Sequence, residues 1–225
     1  MNYFIIDFDS TFIKNESLDI LFEISDPNNN DKIREIKKIT DLGMNGHISF
    51  SESLKRRIKL LEASRKDIDK AVNNIRSNIS DSFEKNSDFI RKNRTKIYLV
   101  SSGFHEIIDP IAEEFNIIKN HIYANNFVFD DNEIVTGFDD KNVLSMDKGK
   151  VEIVKNLNLD GTIHVIGDGY TDYEIKKEGF ADYFYLFVEN IKRESLINNA
   201  DFLVKSLDQF IKIVEWENFH IQKIR

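Results

Sequence analysis

Asp7 and Asp9 stand one residue apart where the apolar run Tyr3–Ile6 ends. Carboxylates this close repel unless a cation or a proton lies between them. Two more polar clusters follow runs of the same β-prone kind. Ser101-Ser102-Gly103 follows Lys96–Val100, and Gly167-Asp168-Gly169-Tyr170-Thr171-Asp172 follows Thr162–Ile166. Ligands of open parallel sheets bind beyond the carboxyl ends of the strands, so the three clusters are expected to meet. Asp7, Asp9 and Asp168 together would form an all-oxygen pocket suited to Mg²⁺, which takes few carboxylates plus a substrate phosphate. A carboxylate there, Asp7, can attack phosphorus and form an acyl phosphate. Asp9 is placed to protonate the leaving oxygen and then to activate water. Ser101 can donate to a phosphoryl oxygen, and Lys148 can neutralise charge on the nucleophile and in the transition state. Gly103 and Gly169 allow close backbone approach.

The elements that must position these residues are legible as periodicities. Tyr3–Ile6, Lys96–Val100, Thr162–Ile166 and Tyr183–Val188 read as strands. Helical patterns separate most of them, which predicts an α/β fold with a Rossmann-like parallel sheet. The stretch 128–138, VFDDNEIVTGF, predicts a small β-hairpin flap around Asp-Asp-Asn. Between the first two strands lie about 80 residues, far more than one crossover helix needs. Ser49 and Glu52 have capping-box spacing, Leu54, Ile58 and Leu61 then repeat on one helical face, and Ser64 can cap the next helix. Residues 15–82 are therefore expected to form a helical cap inserted into a core of residues 1–14 and 83–225.

Composition narrows the partners. The chain has 225 residues, 41% hydrophobic and 31% charged, an ordinary globular balance. A net charge of −8 argues against a nucleic-acid partner. It also means that a site for an anionic phosphate ester must make its own positive potential from a metal, a lysine or helix N-termini. There is no cysteine, hence no disulfide, thiolate zinc site or cysteine nucleophile, which suits a cytoplasmic location. No apolar run has the length of a membrane span, and Asp7 interrupts what would be the apolar part of a leader.

The ordered set DFDST, SSG, Lys148 and GDGYTD, spanning Asp7 to Asp172, resembles the motifs of the haloacid dehalogenase superfamily of phosphotransferases. DFDSTFIKNES and MNGHISFSESLKRRIKLL further resemble the phosphoserine phosphatase family within it. That resemblance implies Mg²⁺ dependence and a small phosphomonoester substrate, L-phosphoserine. It implies that Glu16 binds the substrate amine, that Arg57 holds its carboxylate, and that Met44 and Phe50 shield the site from water. It also implies phosphate binding by the Ser102 backbone N–H, by Thr171 and by the lysine, with Thr11 and Asp172 as supporting residues and a monomer or homodimer as the working form. Helical geometry adds to the Arg57 reading, since Arg57 falls on the stripe of Phe50, Leu54 and Leu61 while Arg56 points away. An arginine on an apolar face needs a partner, and a carboxylate held bidentately would serve.

Departures from the family pattern are visible. Ser102 stands where Gly is usual, and Thr171 where many members have Asn. Both Lys148 and Lys150 lie in DKGKVEIV, and Lys148 is favoured because KGKV resembles some members there. The segment after Phe210 lies outside the resemblance. Taken singly, Glu16 reads equally as a first-turn helix acid, Met44 and Phe50 as core, and Arg57 as the partner of an acid within the cap. Two rivals remain at this level: a related phosphatase or phosphotransferase acting on another small phosphomonoester, and a non-catalytic regulatory domain of the same fold.

Overall fold

Aromatic and β-branched residues concentrate in short runs along the chain, and in the computed structural model, which describes residues 1–224, these runs form the strands. In chain order the elements are β1 (Asn2–Ile6), α1 (Ser17–Ser25), α2 (Asn30–Met44), α3 (Phe50–Leu60), α4 (Arg65–Arg76), α5 (Asp81–Lys85), α6 (Ser87–Lys92), β2 (Ile97–Phe104), α7 (His105–Glu114), β3 (Ile122–Asn125), β4 (Phe127–Phe129), β5 (Val135–Phe138), α8 (Gly149–Leu157), β6 (Thr162–Gly167), α9 (Tyr170–Lys177), β7 (Tyr183–Phe187), β8 (Phe202–Val204) and α10 (Leu207–Ile224). Six strands form one parallel sheet in the order β3-β2-β1-β6-β7-β8. Strand β1 is central, with Phe4 opposite Ile97 on one side and opposite His164 on the other. The chain winds outward from β1 in both directions, so the crevice at its carboxyl end is the switch point where such sheets bind ligands. Strands β3 and β8 are additions to the four expected from sequence; both are short and close the two edges of the sheet.

Helices α1 to α4 all lie between β1 and β2. The two chain segments that lead into and out of this insertion pair with each other: Ile13 bridges Ile79, Lys14 N donates to Asn78 O at 2.8 Å and Ser80 N to Phe12 O at 3.0 Å. Asn190, after β7, clamps the pair through Nδ2 to Ser80 Oγ at 2.6 Å and to Ser10 O at 3.1 Å. Ser49 caps α3 by accepting from Glu52 N at 3.2 Å, but the Glu52 carboxylate turns to Arg56 at 2.6 Å, so only half of the expected box forms. The full reciprocal box is at α4, between Ser64 and Asp67. Leu54 and Ile58 are buried, as the apolar stripe predicts.

Strands β4 and β5 form the antiparallel hairpin. Its base is held by Phe127 stacked on Phe104, with ring centroids 3.7 Å apart. Its tip reaches the insertion, where Val135 N donates to Ala63 O at 2.8 Å and Arg65 N to Glu133 O at 2.9 Å. The α3–α4 junction is thereby tied to the sheet side of the molecule as well as through the two linkers.

Candidate active site

The turn after β1 is built on its own aromatics. Phe8 and Phe12 are buried and stacked at 5.8 Å, and Phe12 packs on Phe83 at 4.8 Å and Phe115 at 4.9 Å. The two carboxylates leave this turn toward different partners, Asp7 toward Lys150 Nζ and Asp9 toward Ser17 N. Between them and the insertion, Ser10 takes a left-handed φ of +54°, a conformation costing a non-glycine residue about 1–2 kcal/mol. Two bonds offset that cost: Ser10 N donates to Asn15 O at 3.1 Å and Ser10 Oγ to Glu16 Oε1 at 2.7 Å.

Three carboxylates meet at the carboxyl ends of β1 and β6. Oxygens of Asp7, Asp168 and Asp172 lie within 4.8 Å of one another, all three residues buried. Lys150 Nζ sits between two of them, donating to Asp7 Oδ1 at 2.6 Å and to Asp172 Oδ1 at 2.8 Å. Burial works against the Lys150 charge, but the fields of Asp172 and Asp7 outweigh it and hold the ammonium well above its ordinary range. Burial, reinforced by repulsion from Asp7, pushes the Asp172 carboxyl up to about 8, and burial raises Asp168 too, against the pull of Arg193. With all three carboxylates ionised, the cluster would hold three negative charges against the two positive charges of Lys150 and Arg193. Among the described residues Asp168 Oδ1 is buried with no hydrogen-bond partner. An orphaned carboxylate oxygen inside an all-oxygen donor set fits a hard divalent cation such as Mg²⁺.

The structure corrects the choice between the two lysines. Lys148 is at the surface, paired with Glu178 at 2.7 Å, because it adopts a left-handed φ of +60° just before α8 begins. Lys150 lies on the first turn of α8 on the buried side with Val151 and Val154, and it is Lys150 that reaches the carboxylates. The acidic trio also differs from the expected one. Asp172 stands in it, and the Asp9 side chain turns toward the insertion, Oδ1 accepting from Ser17 N at 2.7 Å at the start of α1. Burial, with repulsion from Asp7 added, lifts the Asp9 carboxyl to about 7, although the bonds from Ser17 oppose it.

The remaining expected residues are placed by the strand ends and by the helices of the insertion. Ser101 is buried, its Oγ accepting from Gly103 N at 2.9 Å, which leaves the hydroxyl proton to donate. A Cβ on Gly103 would come 3.0 Å from Asp9 Oδ2 and 3.2 Å from Ser101 Oγ, so the backbone here lies against both side chains. Ser102 is not among the residues with left-handed φ, and its carbonyl accepts from Asn125 Nδ2 at 2.9 Å. Thr11 is buried, its carbonyl taking Ser80 Oγ at 2.6 Å. Met44 Sδ would lie 3.4 Å from a Cβ on Gly169, bringing the end of α2 onto the GDG turn. Phe50 and Thr171 line a cavity of about 350 Å³ between insertion and sheet, together with Gly46, His47 and Tyr170.

Glu16 and Arg57 approach from the insertion side. Burial drives the Glu16 carboxyl well above its ordinary range, with repulsion from Asp9 and Asp168 adding to it. Arg57 is buried, NH1 donating to Thr40 Oγ1 at 3.4 Å, and its Nε has no partner among the described residues. Its charge is felt at Asp9.

Arg193 is a site residue that sequence reasoning missed. Buried in the loop after β7, it donates from Nε to Asp168 Oδ2 at 2.8 Å, with NH2 3.8 Å from Glu16 and NH1 3.8 Å from Asp41 on α2. The signal available was topological: β7 also ends at the crevice, so the polar residues following Tyr183–Val188 belonged among the candidates.

The haloacid dehalogenase-like hydrolase family model matches residues 4–175, and the chain belongs to that family. Nearer relatives within it are phosphoserine phosphatases. The chloroplastic phosphoserine phosphatase of Arabidopsis thaliana is 30% identical over 93% of this chain and 70% of its own length. The phosphoserine phosphatase of Homo sapiens is 26% identical over 93% of this chain and 91% of its own. A phosphoserine phosphohydrolase-like protein from Francisella tularensis superposes with a TM-score of 0.87 at 31% identity, covering 95% of this chain and 100% of that one. A phospho-aspartyl intermediate analogue of phosphoserine phosphatase shares the fold, with a TM-score of 0.77 at 24% identity over 94% of this chain and 97% of that one.

Proposed function

We propose that this chain is a divalent-cation-dependent phosphomonoester hydrolase, a phosphoserine phosphatase that releases L-serine and phosphate. The observation that carries the substrate assignment is the pairing of opposite charges around Asp9. Glu16, whose raised carboxyl would ionise against an arriving ammonium, offers acceptor oxygens for the substrate amine, and Arg57, whose charge reaches Asp9, offers an Nε–H without a partner among the described residues for the substrate carboxylate. Phosphoserine carries an amine and a carboxylate on the carbon next to the ester.

In this reading an oxygen of Asp7 attacks phosphorus, and the bond from phosphorus to the seryl oxygen breaks. Asp9, protonated near neutrality, gives its proton to that oxygen, and the phosphoryl group remains on Asp7. After serine leaves, Asp9 takes a proton from water as the water oxygen attacks phosphorus, releasing phosphate and restoring Asp7. Ser101, the Ser102 N–H, Thr171 and Lys150 hold the phosphoryl oxygens, and the Lys150 bond to Oδ1 aims the Asp7 carboxylate. Asp7 and Asp168 would hold Mg²⁺, which would supply charge neutralisation at the phosphoryl group. Met44 and Phe50, on the helices above the GDG turn, exclude water while the substrate is in place. Residues 15–82 act as the cap, and the working location is the cytoplasm, with monomer or homodimer as the assembly. Among the described residues no helix is long and apolar enough to cross a membrane.

The test is a comparison of kcat/KM for L-phosphoserine, O-phosphoethanolamine, which lacks the carboxylate, and p-nitrophenyl phosphate, which lacks both groups. The proposal expects L-phosphoserine to lead. Indifference to amine and carboxylate would assign the site to another small phosphomonoester.

A further inference from the structure

Three residues, one from each of three consecutive helices of the insertion, form a hydrogen-bonded line that ends at Arg57. Asp19 is on α1, Thr40 on α2 and Arg57 on α3. Thr40 Oγ1 donates to Asp19 Oδ1 at 3.1 Å and accepts from Arg57 NH1 at 3.4 Å. The direction is forced by chemistry, because a guanidinium has only donors and an ionised carboxylate only acceptors. A hydroxyl between them must therefore give its proton to Asp19 and turn its lone pairs to Arg57. Thr40 and Arg57 are both buried, so the bond between them is shielded from water, while the half-buried Asp19 closes the line toward the surface of the cap.

We propose that Thr40 and Asp19 are positioning residues that hold the Arg57 guanidinium by this one-way relay, keeping its Nε–H free for the substrate carboxylate; the inference rests on the phosphoserine reading of the site. Arginine carries five N–H donors in a rigid fork, so fixing one terminal nitrogen sets the direction of the rest. Among the described residues the buried Nε has no partner. Asp19 supplies more than an acceptor. Burial raises its carboxyl, while the charge of Arg57 and the Thr40 bond pull the other way, so the acid and the guanidinium sense each other through the hydroxyl. An unpaired guanidinium in the buried cap would be costly before substrate arrives. The relay gives it a counter-charge without occupying the donor that recognises substrate.

The test is kinetic, with two substrates. Thr40→Val keeps the shape and removes both bonds, and Thr40→Ser keeps the hydroxyl. Thr40→Val is expected to raise KM for L-phosphoserine about tenfold, the worth of one hydrogen bond to a charged group, with kcat moving far less. The preference for L-phosphoserine over p-nitrophenyl phosphate should fall by the same factor, and Thr40→Ser should restore it. Asp19→Ala should give the same loss, and the Thr40→Val, Asp19→Ala double variant should be no worse than either single variant, because both break one line. Multiplying losses in the double variant, equal losses on both substrates, or no rescue by Ser would overturn the relay. Arg57→Ala separates this from the reading beneath it. If Arg57→Ala leaves the preference for L-phosphoserine intact, the carboxylate assignment itself fails. If it abolishes the preference while Thr40→Val does not, only the relay fails.

Discussion

Lys150 Nζ lies 2.6 Å from Asp7 Oδ1, although 143 residues separate them along the chain. The contact joins the first turn of α8 to the end of β1, and Asp172 at 2.8 Å closes it from the start of α9. Three elements thus fix one ammonium against the carboxylate proposed to attack phosphorus. Replacing Lys150 by Ala is expected to lower kcat by about 10²–10³-fold, as for removal of one preorganised charge partner. Lys148→Ala removes an exposed pair with Glu178, the kind that contributes about 0–1 kcal/mol, and should change kcat less than about threefold. Steady-state kinetics of the two variants side by side decide between the lysines.

Those two lysines also show what the sequence could and could not convey. Motif likeness pointed to Lys148. The better signal was helical spacing, since Lys150 and Val154 stand at i and i+4 and share the buried face of α8. The left-handed residue of the turn that sends Lys148 to the surface is Lys148 itself and not the adjacent Gly149, so the glycine marks the wrong position. Asp7, Asp168 and Asp172 were legible because each follows or lies just beyond a strand end, where topology alone brings residues together. That Asp172 and not Asp9 completes the trio was not legible, because it depends on Ser17 N capturing the Asp9 side chain. The parallel core and the helical insertion followed from apolar runs and one overlong connection. Strands β3 and β8 were missed because runs of four and three residues carry too little pattern.

The orphaned oxygen of Asp168 makes a prediction that needs no substrate. A ligand that binds only the folded state stabilises it by mass action, about 2.7 kcal/mol at one hundred times its Kd. Mg²⁺ should therefore raise the melting temperature of the native chain, and EDTA should reverse the rise. Asp168→Asn should remove most of the shift. A shift unchanged in Asp168→Asn would place the ion elsewhere.

Arg193 holds the other oxygen of Asp168 and so aims the free one. Partners that orient a metal-binding side chain are typically worth 10–100-fold in affinity. Arg193→Gln is expected to weaken Mg²⁺ binding, measured by isothermal titration calorimetry, by about that factor. Unchanged or tighter binding would show that Arg193 acts only as a repelling charge beside the site.

Acid sensitivity should come partly from the opposite end of the sheet. His164 on β6 is buried, its Nδ1 on Tyr185 Oη at 3.1 Å and its Nε2 without a partner among the described residues. Burial lowers its pKa from 6.5 to about 4. The folded state therefore keeps the ring neutral where the unfolded chain takes up a proton. The associated stability is whole above pH 6.5 and is lost as pH falls toward 4, to a total of about 3 kcal/mol. Denaturant unfolding across that window should show the loss, and His164→Phe should flatten that part of the profile. A parallel profile in the variant would assign the acid sensitivity to other groups.

Asp7 is the group proposed to take the phosphoryl, and every other role at the site follows from that. Acid quench of the enzyme during turnover of ³²P-labelled L-phosphoserine, followed by peptide mapping, tests it directly. The expected result is a hydroxylamine-sensitive acyl phosphate on Asp7, absent from Asp7→Asn, a variant that keeps its fold and loses turnover. Label on a different residue, or near-normal turnover by Asp7→Asn, would contradict it.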